Sequence, residues 1–374
     1  NISYPENITI APNADTYDER LRLYFVAMTR AKRQLFLTYS RTDLNGKDTL
    51  IASFLTGVDL QPIVHHTPET VAQLTAQAQT AWHDRIIHKP TASMKALLAP
   101  ILEQYKLSAT HLNNFIDISH GGPQGFLMNN LLRFPRAKTV SASFGTAIHA
   151  ALQRAHTHLS ATGERRPAED VIGDFVRELH DQRLSIDEFN HYAKRGTDAL
   201  SKFLHTEYDS FTPAQKAELN FASQGVTLGD ARLTGSLDLV DINDNHIFVT
   251  DYKTGKPSTS WTGRGDYEKI KLHKYRQQLM FYQLLCQHSR DYASYEFDGA
   301  ILQFVEPDSH GNIHSLDQTF STEELTQFAA LIAAVWRCIV TLELPDASDY
   351  SADYKGILQF EKDLIAGTEA TAQD

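Results

Sequence analysis

Residues 231 to 254 hold two strand-forming runs, ARLTGSLDLVDI and HIFVTDYKT, separated by the turn-forming Asn243, Asp244 and Asn245. Side chains alternate along a strand, so in the first run Arg232, Thr234, Ser236 and Asp238 fall on one face and Leu233, Leu237 and Leu239 on the other. The second run is apolar on both faces until it ends in Asp251 and Lys253. A strand of that kind is expected at the centre of a sheet covered on both sides, with its carboxyl end opening onto a site. Pairing the two runs as a hairpin makes Asp238 and Asp251 neighbours across the sheet.

Asp251 and Lys253 share one face of their strand, while Tyr252 points to the other. Such a pair can be a simple surface salt bridge. It can also be half of a metal site, since two carboxylates are hard oxygen ligands suited to Mg2+ or Mn2+, and the ion offsets their repulsion. The lysine beside them can orient an attacking water or offset charge developing on a phosphate. Phosphodiester hydrolysis is the reaction such a set serves.

The rest of the chain predicts a mixed sheet flanked by helices, an α/β architecture. Residues 17 to 31 read as a helix, on the spacing of Leu21, Tyr24, Phe25 and Met28, followed by a strand over 34 to 39 and a short helix near DTLIASFL. Residues 61 to 91 turn to Gln, Ala, His and Thr with scattered prolines, and read as a linker with its own helix over 68 to 88. Helices are expected over 92 to 105, from near Gly145 and onward to 202, over 269 to 288 and over 321 to 342, with further strands at AELNFA and DGAILQFV. The expected domains are 1–60, a helical linker 61–100, and 101–374. No Gly-rich phosphate loop is present, and the order does not suggest a Rossmann fold.

Composition narrows the class. With 35 Lys and Arg against 46 Asp and Glu, the net charge of -11 gives no global sign of nucleic-acid binding, so that role must rest on local patches. Two cysteines, Cys286 and Cys338, exclude a disulfide framework and any four-cysteine metal site, and fit a reducing, cytoplasmic setting. The apolar stretch FAALIAAVW is far short of the ~20 residues that span a bilayer, so no membrane is expected. The opening NISYPENITI has neither an initiator Met nor a signal-like region, and reads as part of something longer.

Taken in order, Gly145-Thr146-x-x-His149, Glu218, Gly235-x-x-Asp238, Asp251-Tyr252-Lys253-Thr254-Gly255 and Gln278-x-x-x-Tyr282 resemble the RecB-type branch of the PD-(D/E)XK nucleases over residues 107 to 358. The resemblance implies a restriction-endonuclease-like core in which His149, Asp238, Asp251 and the carbonyl of Tyr252 hold Mg2+ or Mn2+. It implies that Lys253 is catalytic with Asp251 and Asp238, and that Gln278 and Tyr282 position DNA or Lys253; Glu218 is carried over as a further catalytic acid. A histidine ligand suits Mn2+ at least as well as Mg2+. Seven Lys or Arg stand between Tyr252 and Arg276 against Asp266 and Glu268, a net of +5 that can track phosphates, with Lys256 and Arg276 as expected DNA contacts. Where iron-sulfur relatives carry cysteines this chain has Gly122, Asp349, Ala352 and Leu358, so no cluster is expected.

The segment DERLRLYFVAMTRAKRQLFLTYSR resembles motif VI of UvrD/PcrA-type superfamily 1 helicases, with Arg30 as the arginine that reaches the ATP γ-phosphate. That likeness implies a small remnant of a RecA-like domain, ATP only in the full-length helicase, and a nuclease tethered to the rest of the motor, with a recombination-complex subunit as a further partner. The expected function is a metal-dependent deoxyribonuclease in DNA end processing for repair or recombination. The alternative is a catalytically inactive DNA-binding or scaffold module on the same fold.

Overall fold

Five strands make one sheet in the order β1 (Gln215–Asn220), β4 (Ser236–Asn243), β5 (His246–Lys253), β6 (Glu296–Phe304) and β7 (Ser315–Gln318); β2 (Thr227–Leu228) and β3 (Ala231–Arg232) form a separate small ribbon. All neighbours are antiparallel except β5 and β6, which are parallel. This computed structural model describes residues 16–39, 42, 47–52, 55, 94–135 and 138–371. The chain divides into two units, Asn1–Thr91 and Ala92–Asp374.

In the first unit, α1 spans Thr16–Thr29. Residues 34–39 are described without a strand, contrary to expectation, because no strand pairs with them among the described residues. The linker helix over 68 to 88 lies outside the described residues, as does part of the segment near DTLIASFL.

The second unit carries α2 (Met94–Glu103), α3 (Ala109–Ile116), the short α4 (Gly122–Phe126), α5 (Val140–Thr162), α6 (Ala168–Asp181), α7 (Ile186–Glu207), α8 (Asp266–Gln287), α9 (Thr322–Thr341) and α10 (Tyr354–Thr371). Parallel strands need a long crossover, and α8 provides it between β5 and β6. One core packs Val240, Val249 and Leu302 of the sheet against α8 and α9 through Leu279, Phe281 and Ile332. A second packs Leu239 and Tyr252 against α5, α6 and α7 through Ile148, Phe175 and Phe203. The expectation of a mixed sheet flanked by helices holds, with β5 at its centre.

Two expectations are corrected. The run 231 to 242 is not one strand: it breaks at residues 233–235, where a Cβ on Gly235 would stand 2.7 Å from Leu285 Cδ1. Arg232 therefore leaves the Asp238 face, and its guanidinium donates to the carbonyl of Leu102 at 3.0 Å and lies over Trp336. Second, α5 begins at Val140, where Thr139 Oγ1 accepts from Ala142 N, so His149 sits in the third turn rather than at the helix start. Helix α9, expected from the sequence, is 20 residues long and passes for a membrane span by length and composition only. Its Phe328, Leu331, Ile332, Val335 and Ile339 are buried in the first core. Strand β7 and helix α10 had no counterpart in the sequence reading.

Candidate metal centre and active site

The hairpin register pairs Asn243 with His246 and continues to Leu239 with Thr250, so the next facing pair is Asp238 and Asp251. At that point the strands part. The N–H of Tyr252 donates to Asp238 Oδ2 at 2.9 Å, so the carboxylate takes the place of a backbone acceptor and is held at the opening. On the other side of β4, Ala217 pairs with Leu239 and Leu219 with Leu237, which leaves Glu218 opposite Asp238. Glu218 has φ 51°, a left-handed conformation that a glutamate adopts only when its surroundings enforce it. Its Oε2 accepts from Ser236 Oγ at 2.9 Å. Three adjacent strands thus bring Glu218, Asp238 and Asp251 into one row.

Helix α5 adds His149, whose Nδ1 lies 3.2 Å from Asp238 Oδ2. One ligand atom from each of His149, Glu218 and Asp238 falls within 4.8 Å of the others, and an open cleft lined by Gly145, Thr146, His149, Gln153 and Glu218 leads to them. Two carboxylates and an imidazole nitrogen are a donor set that fits Mg2+ or Mn2+. Glu218, carried over from the resemblance as a catalytic acid, stands in this group.

Asp251 belongs to a second, drier group. Its side chain is 1 % exposed; Oδ2 meets Lys253 Nζ at 2.6 Å, and Oδ1 accepts from Gln278 Nε2 and Tyr282 OH, both at 3.0 Å. Lys253 Nζ also donates to Gln278 Oε1 at 2.8 Å and lies 4.5 Å from the Tyr275 ring centroid. Tyr252 turns its side chain away from the site, where its hydroxyl shares a 2.8 Å hydrogen bond with His156 Nε2.

The charges are mutually tuned. Burial pushes the Asp251 carboxyl up, and the nearby Asp238 charge adds to this against the pull of Lys253. Burial acts the same way on Asp238, but the hydrogen bond and charge of His149 outweigh it and hold that carboxyl down. Burial would lower His149 and Lys253; the carboxylates beside them raise both instead. Two carboxyls and two bases thus lie in contact, each shifting its neighbours.

The expected DNA contacts separate. Tyr282 is 4 % exposed and its hydroxyl is spent on Asp251, so its geometry allows the positioning role and not a direct nucleic-acid contact. Arg276 points to another face of α8, where it pairs with Glu324 and covers Phe320. Lys274 is likewise taken by Asp117. Of the seven basic residues, Lys256, Arg264 and Lys269 remain exposed, a smaller patch than the sequence count implied. Tyr275 and Ser236, which touch the site, were missed because neither type signals chemistry by itself.

A family profile described as the PD-(D/E)XK nuclease superfamily matches residues 106–353. No curated protein matches the chain.

Proposed function

This chain belongs to the PD-(D/E)XK nuclease superfamily, whose members are generally metal-dependent nucleases, and from that premise we propose that its own site is an active deoxyribonuclease. The sheet and its helical cover agree with the restriction-endonuclease-like fold. The observation that carries the reading is the contact between two complete groups. His149, Glu218 and Asp238 form a ligand cluster, and the Asp251–Lys253 pair is oriented beside it by Gln278 and Tyr282. A scaffold that had lost catalysis has no need to keep a half-buried ammonium, held by Asp251 and Gln278, at the mouth of a carboxylate cluster.

His149, Glu218 and Asp238 would hold a divalent ion, with Asp251 and the Tyr252 carbonyl as the further ligands implied by the resemblance. Such an ion supplies Lewis-acid polarisation of a phosphodiester and a more acidic bound water. Lys253 offsets charge developing on the phosphate and orients the attacking water. Gln278 keeps the ammonium from collapsing wholly onto Asp251 by offering it a second acceptor. Tyr282 holds Asp251 Oδ1 in place. The test is cleavage of end-labelled single- and double-stranded DNA with Mn2+ or Mg2+. Products are expected with the wild type and none with Lys253→Ala; DNA binding without products from the wild type would favour the scaffold alternative.

A wider context is proposed from the front of the chain. Leu21, Leu23, Phe25, Val26, Leu35, Phe36, Leu37 and Tyr39 are all exposed, an apolar surface of the kind that marks a missing partner face. With the motif VI likeness, this supports a helicase motor in the same polypeptide, domains near 1–60, 61–100 and 101–374, Arg30 as a nucleotide contact, and a cytoplasmic role in DNA repair or recombination. Arg30 is exposed at the end of α1. The full-length protein with ATP should degrade duplex ends faster than without ATP; equal rates would count against the fusion.

A further inference from the structure

We infer that Arg195 and Glu306 are positioning residues of the active site, an ion pair that grips the turn after Lys253 and so sets where its ammonium stands. The inference rests on the nuclease reading of that site. Glu306 lies two residues past β6 and is 8 % exposed, deeply placed for a carboxylate. Arg195 of α7 meets it in a two-pronged contact, Nε to Oε2 at 2.6 Å and Nη2 to Oε1 at 2.9 Å. Oε1 also accepts the N–H of Gly255, two residues beyond Lys253.

The grip is completed from two other sides. Val305 N–H donates to the Lys253 carbonyl at 3.0 Å. Thr254 Oγ1 lies 3.2 Å from where a Cβ on Gly145 would be, so α5 also abuts the turn. The guanidinium itself lies 5.0 Å from the Phe144 ring centroid and 5.4 Å from that of Tyr192, which fixes its plane. Gly255 has φ 94°, which a residue with a side chain rarely adopts, so the turn has one shape to hold.

Energetics separate a positioning role from a packing role. A buried ion pair is often no more stabilising than well-packed apolar side chains of similar volume. What apolar side chains cannot do is accept the Gly255 N–H in a fixed direction. The lysine side chain is long and flexible, yet its Nζ must serve Asp251 Oδ2 and Gln278 Oε1 together. A displacement of about 1 Å at a reacting group can cost on the order of a hundredfold in rate. Glu306 touches none of the catalytic side chains and acts through the backbone that carries one of them.

The experiment uses the full chain with Glu306→Gln, Arg195→Lys and the double variant, assayed with Mn2+ and labelled DNA well below each melting midpoint. The expected result is a fall in kcat of at least about tenfold with KM and Mn2+ affinity within about twofold of wild type, and a double variant no worse than the worse single one, as for residues acting as a unit. In parallel, the Lys253 side-chain resonance, assigned with Lys253→Arg, should move toward that of an exposed lysine in Glu306→Gln. Lower melting midpoints with unchanged kcat and an unmoved Lys253 resonance would overturn the inference. Should the wild type cleave nothing, the nuclease reading fails by itself, and the resonance alone decides whether the clamp positions Lys253.

Discussion

Asp251 is the residue on which most of the site converges, because its two oxygens are shared among Lys253, Gln278 and Tyr282 in a setting that excludes water. Removing one donor to a buried carboxylate costs about 1–3 kcal/mol. Tyr282→Phe is therefore expected to lower stability by that amount and to cut the cleavage rate several-fold while leaving Mn2+ binding intact; calorimetry and a cleavage assay check both halves. Metal binding itself is tested by stability. An ion at 100 times its Kd stabilises a folded protein by about 2.7 kcal/mol, so Mn2+ should raise the unfolding midpoint of the wild type and of Lys253→Ala, and fail to do so in Asp238→Ala. An equal rise in all three would place the ion elsewhere.

His156 offers a pH test away from the metal cluster. Its ring is stacked on Phe211 at 3.8 Å and buried, and burial lowers it from 6.5 to about 3. The unfolded chain takes up this proton at the higher pH, so the stabilising contribution is complete above about 6.5 and is lost as pH falls through that range toward about 3. Denaturant midpoints of the wild type should drop more steeply between pH 7 and 4 than those of His156→Gln. Parallel curves would show that the imidazole does not govern acid unfolding.

At the scale of elements, helix–helix and helix–sheet contacts are closed at glycines. A Cβ on Gly196 of α7 would stand 2.1 Å from Phe175 Cζ and 2.9 Å from Phe144 Cε2, both in the second core. Overpacking of this kind costs about 1–3 kcal/mol, so Gly196→Ala should lower Tm by several degrees. Because α7 also carries Arg195, the same variant should reduce cleavage more than its stability loss at the assay temperature explains. The parting of β4 from β5 at Asp238 is a property of the same scale. It needs β1 on one side, β6 on the other and α5 over the opening.

For the whole molecule, both cores are built from residues between Leu98 and Leu364, and every member of the candidate site lies in the unit Ala92–Asp374. A protein consisting of residues 92–374 should unfold in a single cooperative transition and keep its Mn2+-dependent stabilisation. Loss of both would mean that the first unit is required for the fold. Binding to DNA should weaken only modestly with salt, since the slope grows with the number of phosphates neutralised and the patch near the site keeps few exposed cations, Lys256, Arg264 and Lys269.

What the amino-acid sequence determined by itself was whatever rests on local periodicity and spacing. Alternation placed β4 and β5, the doubly apolar run put β5 in the centre, and a short turn set their register, so Asp238 and Asp251 were bound to meet. The family likeness supplied His149, Glu218, Gln278 and Tyr282 at positions the fold brings together. The tertiary structure alone decided how the charges divide. Glu218 joins His149 and Asp238 because β1 pairs with β4 with that glutamate in a left-handed kink, and no local pattern encodes that. Arg276 and Lys274 left the basic patch because α9 and the segment around Asp117 present carboxylates to them, across more than 40 and 150 residues of chain. The Arg195–Glu306 pair spans 111 residues. Interactions over such separations depend on how layers stack, and stacking is settled by the sum of side-chain volumes across the core rather than by any single stretch of sequence.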